Sequence, residues 1–118
     1  VKRNIDLIRE LLFITEKSHR SVAVWTIKIK GISAETIDYH AYLLQDGGYI
    51  KADIEQLEDD TFDTVLIHSL TWSGHELLDS IRKDQIWEKV KNRIAEKTES
   101  VPFDILKQIA MEYIEALI

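Results

Sequence analysis

A chain of 118 residues with 15 Lys and Arg against 21 Asp and Glu carries a formal net charge of −6 and has the length of a single domain. Hydrophobic residues make up 45% and charged residues 31%, too apolar a balance for a disordered chain. With no cysteine there is no disulfide framework, zinc knuckle or thiol nucleophile, and no apolar run approaches the roughly 18 residues that span a bilayer.

The start, Val1-Lys2-Arg3-Asn4, lacks the apolar region of a secretory signal, so a cytoplasmic location is expected; Val in place of an initiator Met suggests a trimmed chain. From Lys2 to Lys17, Ile5, Ile8, Leu11, Leu12 and Phe13 recur at three- and four-residue spacing, which predicts an amphipathic helix. Ser18 to Ser21 is a polar break. Trp25, Ile27 and Ile29 then alternate with Thr26, Lys28 and Lys30, a period of two that predicts a strand with one wet face, ended by Gly31. Ser33 is placed to cap a helix over Ala34–Asp46, and Gly47-Gly48 supplies the left-handed residue that stops it. Tyr49 to about Glu55 and Phe62 to Leu70 read as two strands joined by the turn Glu58-Asp59-Asp60, a hairpin with an acidic tip.

Thr71 caps a further predicted helix carrying Leu77, Leu78 and Ile81. Another begins near the cap candidate Asp84, with Ile86, Trp87, Val90 and Ile94 on its dry side, and Thr98-Glu99-Ser100 interrupts it. Pro102 suits the first turn of a last helix, in which Phe103, Leu106, Ala110, Tyr113 and Leu117 step by three and four, widened by Ile105 and Ile109. The predicted class is therefore α+β. A helix that ends in Gly-Gly and feeds a hairpin is the second half of a winged helix-turn-helix, with the helix as recognition element and the hairpin as wing. The strand-like Val24 to Lys30 stands where a full helix-turn-helix has its first helix, so the expected form is winged-helix-like. That domain (helix, strand, helix, hairpin wing, helix) covers 1–83, and 84–118 adds two helices expected to pack on it.

Two stretches carry a family resemblance. Tyr39-His40-Ala41-Tyr42-Leu43-Leu44-Gln45-Asp46-Gly47-Gly48-Tyr49-Ile50 resembles the recognition-helix-to-wing passage of winged-helix repressors. Leu70-Thr71-Trp72-Ser73-Gly74-His75-Glu76-Leu77-Leu78-Asp79 resembles the LT--G---L passage that follows their wing. Together with Lys2 to Arg9 and Ile86 to Lys91, these stretches resemble a domain-of-unknown-function family of small proteins from Gram-positive bacteria and their prophages. The resemblance runs to about Lys91, implies a winged-helix-like fold and brings no catalytic residues.

Charge argues against the usual winged-helix ligand. Duplex DNA binding rests on Lys and Arg neutralising phosphates. Residues 1–30 hold a net +4, residues 31–80 a net −10 with Lys51 as their single base, and residues 81–118 a net zero. On the helix over Ala34–Asp46, helical projection turns Ile37, His40, Ala41 and Leu44 inward and Glu35, Asp38, Tyr39, Tyr42, Gln45 and Asp46 outward. The hairpin adds Glu58, Asp59, Asp60 and Asp63. This acidic, tyrosine-bearing face is expected either to meet a basic protein surface, since Tyr buries large area while keeping a polar end, or to edge the core with its tyrosines while the acids keep the chain in solution; the first is the reading taken. DNA is the alternative ligand, and the surface for it is Lys2, Arg3, Arg9, Lys28 and Lys30, with Lys17 and Arg20 nearby in sequence.

No constellation points to catalysis, a metal or a cofactor. His75-Glu76-Leu77-Leu78-Asp79 is one residue away from the metalloprotease H-E-x-x-H pattern, with His68 as the nearest third ligand, and loose spacing of this kind is expected to be structural. Asp59 to Asp63 lacks the alternation and distant Glu of a calcium loop, and Ser33, Ser69 and Ser73 lack a nucleophile-elbow context. Trp25, Trp72 and Trp87 are expected in the core. The apolar end of the last helix suggests a homodimer through it.

Overall fold

The computed structural model describes residues 3–18, 20–59, 61–95 and 101–116. Five helices and a three-stranded antiparallel sheet follow in the order α1 (Ile5–Lys17), β1 (Val22–Ala23), a 3-10 turn (Val24–Thr26), α2 (Ala34–Asp46), β2 (Ile50–Gln56), β3 (Phe62–Leu70), α3 (Trp72–Ile81), α4 (Asp84–Ala95) and α5 (Phe103–Ala116). The fold is α+β, as its patterning predicts. The chain divides into two compact units, 1–74 and 75–118, with the boundary inside α3.

In the first unit, Asn4 caps α1 by accepting the Asp6 and Leu7 amides through its side chain. The helix therefore starts at Ile5, later than the expected Lys2, because Asn4 is extended and turns its side chain to the first free amides. The sheet runs β1-β3-β2. α1 packs on α2 and β3, and α2 packs on β2, β3 and the 3-10 turn. Its buried apolar side chains are Leu7, Ile8, Leu11 and Leu12 of α1, Ile37, Ala41 and Leu44 of α2, and Ile50, Val65, Ile67 and Leu70 of the sheet. Val65 and Ile67 keep the strand period of two, but Leu70 falls three residues further on. A bulge resets the phase: Lys51 pairs with Ser69 and Ala52 with Ile67, so His68 stands without a partner on β2.

The strand expected around Trp25, Ile27 and Ile29 is not there. The ladder is two residues long, Val22 opposite Ile67 and Ala23 opposite Leu66, and the chain then turns, with the Ile27 amide donating to the Val24 carbonyl and Thr26 Oγ1 to the Ala23 carbonyl. At three residues per turn, Val24 and Ile27 face inward and Trp25 faces out, 65% exposed, which reverses its expected core position. Trp72 is a second correction, at 80% exposure. It opens α3 on the side opposite the buried stripe of Gly74, Leu77, Leu78 and Ile81.

The turn from α2 into β2 and the start of α3 are fastened together. Gly48 takes the left-handed conformation, with φ of 82°, after a right-handed Gly47. Thr71 Oγ1 donates to the Gly48 carbonyl (2.5 Å) and accepts the Gly74 amide (3.1 Å), while the Thr71 amide donates to the Tyr49 carbonyl (3.1 Å). One threonine therefore caps α3, as predicted, and ties that helix to the glycine turn.

In the second unit, α4 packs against α5. Ile86, Trp87 and Val90 are buried on α4, with Asp84 as its first residue, and Phe103, Leu106, Ile109 and Ala110 are buried on α5. Trp87 is 3% exposed, in line with its expected core position. Arg93 donates to Glu112 between the two helices, and Lys107 of α5 pairs with Glu76 of α3 at 3.2 Å. The expected interruption at Thr98-Glu99-Ser100 and the apolar terminus Leu117-Ile118 lie outside the described residues.

Candidate functional site

Helix α2 carries the candidate surface. The Thr36 amide donates to Ser33 Oγ at 3.2 Å, so the predicted cap fixes where the helix starts and hence which way its faces turn. Ile37, His40, Ala41 and Leu44 are buried, the side projected as dry. On the other side Glu35, Gln45 and Asp46 are exposed, whereas Asp38, Tyr39 and Tyr42 are half-buried.

The tyrosines are positioned by rings beneath them. Tyr42 lies 5.4 Å from the Phe62 ring at the start of β3, and Tyr39 stands edge-on to His40 at 5.9 Å. Both are partly exposed, and the Tyr42–Phe62 contact joins α2 to β3, whereas the ring against Tyr39 belongs to its own helix. Partial burial, with Glu35 adding like charge, holds the Asp38 carboxyl above the usual range. At the hairpin turn, Asp59 is held below that range by hydrogen bonds from the Thr61 hydroxyl (2.5 Å) and amide (3.2 Å). The face is therefore acidic, and the hairpin adds the exposed Glu55, Glu58, Asp59 and Asp63; Asp60 lies outside the described residues.

His40 fixes the underside of this helix. Its Nε2 accepts the Asn4 amide (2.7 Å), and its Nδ1 donates to the Thr36 carbonyl (2.8 Å), which specifies the neutral Nδ1–H tautomer. Burial, helped by the nearby Arg3, lowers its pKa, while the Thr36 bond acts in the opposite direction. The unfolded chain thus binds this proton more readily than the folded one. Stability from His40 is complete above the unfolded value near 6.5 and is lost as pH falls through the lower folded value. Urea titrations across pH 7 to 4 are expected to show a decline that His40→Gln flattens. A slope unchanged by that substitution would contradict this account.

The basic residues have separate settings. Lys28 and Lys30 are exposed on the loop that precedes α2. Arg3 and Arg9 are half-buried, and the Arg9 guanidinium sits 4.9 Å above the Phe13 ring. Lys2 lies outside the described residues.

Sequence reading missed one side-chain chain. Ser21 Oγ lies 2.6 Å from His68 Nδ1, and His68 Nε2 lies 2.9 Å from Asp53 Oδ2. Residues 21, 68 and 53 are brought side by side by the β1–β3 register and by the bulge that frees His68 from β2. No sequence signal short of that register could have found them. On this open sheet face, the His68–Asp53 pair contributes at most about 1 kcal/mol. His75 is exposed, and among the described residues no three His, Cys, Asp or Glu side chains are grouped to hold a metal. No helix is long and apolar enough to cross a membrane, among the same residues.

Comparison with known proteins gives two matches. The family model described as Hypothetical protein (DUF2513) matches residues 2–100. An uncharacterized protein of Haemophilus influenzae is 37% identical over 120 residues, covering 100% of this chain and 99% of that protein. No solved structure matches.

Proposed function

The chain belongs to the DUF2513 family, a family of unknown function, and from that premise we propose that it is a small, non-enzymatic binding module of winged-helix-like form that contacts a protein partner through the acidic face of α2. Glu35, Asp38, Tyr39, Tyr42, Gln45 and Asp46 make that contact, and its partner presents Lys and Arg. The observation that carries this reading is the charge map: nine carboxylates against Lys51 alone on the helix and hairpin that would otherwise enter a groove. The strand order β1-β3-β2, with α2 leading through Gly47-Gly48 into the β2–β3 hairpin, supports the winged-helix form. The Haemophilus influenzae relative supports a bacterial setting, in which a cytoplasmic regulatory or prophage-derived role fits a domain of this size.

A winged-helix DNA-binding regulator is the second reading, favoured by the same strand order and opposed by the charge. The two separate in one titration. Mixed-sequence duplex DNA at about 50 mM salt is expected to show no binding, because carboxylates release no phosphate counterions. Affinity that falls steeply as salt rises would overturn the protein-partner reading. Retention of the same host proteins by the wild-type chain, and their loss with Tyr39→Ala or Glu35→Lys, is the result expected if α2 makes the contact.

A further inference from the structure

The loop that replaces the first helix of a helix-turn-helix leaves a groove beside α2. Ile27, Ile29, Ile32 and Ile37 line a half-open space of about 370 Å³, which Lys28 and Lys30 also line. No carboxylate lines it, and among the described residues none pairs with either ammonium. A mostly apolar lining that includes two exposed lysines suits an aliphatic side chain flanked by carboxylates.

This chain carries that chemistry at another place. At the hairpin tip Leu57 is 43% exposed, with Glu55, Glu58 and Asp59 around it. The described residues around it are held to one another: the Leu57 amide donates to the Thr61 carbonyl at 2.8 Å, and Asp59 accepts from Thr61 twice. A preformed turn loses little freedom on docking. The larger charge distribution has the same polarity, with +4 over residues 1–30, which include both lysines, and −10 over residues 31–80, which include the tip.

We propose that the hairpin tip of one copy docks into the isoleucine groove of a second copy, placing Leu57 among the isoleucines and Glu55 and Glu58 against Lys28 and Lys30. Tip and groove are different surfaces, so the contact is heterologous and propagates from copy to copy unless a rotation closes it. It is also weak, because a few side chains are buried between molecules of like net charge.

Sedimentation velocity on the whole chain, with concentration raised to about 1 mM, tests the contact. The weight-average sedimentation coefficient is expected to rise with concentration. Lys28→Glu with Lys30→Glu makes both surfaces acidic, and Glu55→Lys with Glu58→Lys makes both basic. Each pair of substitutions alone is expected to weaken association at least tenfold, and mixing the two variant proteins restores it, because basic tip then meets acidic groove. Leu57→Ser removes the apolar part and lowers association in either background. All these positions are exposed, and circular dichroism verifies that each variant is folded. A wild-type chain that stays monomeric throughout overturns the proposal, as does a mixture that fails to associate. Association that survives both charge reversals, and is instead lost with Met111→Glu on the outer side of α5, also overturns it.

Discussion

Gly74→Ala is expected to destabilise the chain by about 3 kcal/mol or more, measured by urea unfolding followed by circular dichroism. The sign is the reverse of the usual one, since alanine in place of glycine inside a helix ordinarily gains about 1 kcal/mol. The reason lies in the fastening around Thr71. A Cβ on Gly74 would stand 2.0 Å from the Tyr49 carbonyl oxygen and 3.0 Å from its carbon. That neighbour is backbone and cannot rotate away. The same carbonyl accepts the Thr71 amide, so moving α3 off Tyr49 also loosens the cap and the bond to Gly48. Gly48→Ala is the informative control: nothing lies near its absent Cβ, and only its left-handed φ is strained, worth about 1–2 kcal/mol. Equal effects at the two positions would mean that the close approach of α3 to Tyr49 is not what requires Gly74.

Trp87→Ala is expected to remove about 3–5 kcal/mol, the range for deleting a large buried ring. Trp87 is 3% exposed, between Ile86 and the buried Val90 on α4. The ring is held in the core of 75–118 and leaves a cavity when truncated. Trp72→Ala is the paired control, because a ring 80% exposed has little burial to lose and is expected to change stability by less than about 0.5 kcal/mol. Thermal unfolding by circular dichroism distinguishes the two; an unchanged Trp87→Ala midpoint would remove this indole from the core.

These three tryptophans also mark how far the sequence could be read. Helices were legible because a period near 3.6 and a cap are local properties: Ser33, Thr71 and the Gly47-Gly48 stop each act within a few residues of their own position. The hairpin was legible for the same reason. The region after β1 was not, because Val22 to Lys30 supports a period of two or a period of three, and packing against α2 and β3 decides between them. Trp25 moved from core to solvent with that decision. Trp72 differs for another reason: its size predicts burial, although its angle from Leu77, Leu78 and Ile81 sets it opposite them.

The surface of α2 was readable in outline. Glu35, Gln45 and Asp46 were expected to face outward and do. That Tyr39 and Tyr42 would be half-covered by His40 and Phe62 depended on contacts no spacing encodes. The stretch Leu70 to Asp79 shows what its pattern records physically: a buried Leu70, a threonine that caps and clasps, a glycine against a carbonyl and a buried Leu78. The Ser21–His68–Asp53 chain lay beyond reach because it depends on a bulge, and a bulge shifts neighbours by one residue without changing composition.

The disposition of the indoles also decides what light reports about this protein. With Trp25 and Trp72 in water, the folded chain emits largely as solvent-relaxed fluorophores, and Trp87 is the one positioned to shift to longer wavelength when the native state opens. An emission-based melt therefore follows residues 75–118 and is nearly blind to residues 1–74, whose loss of structure has to be followed through the peptide backbone.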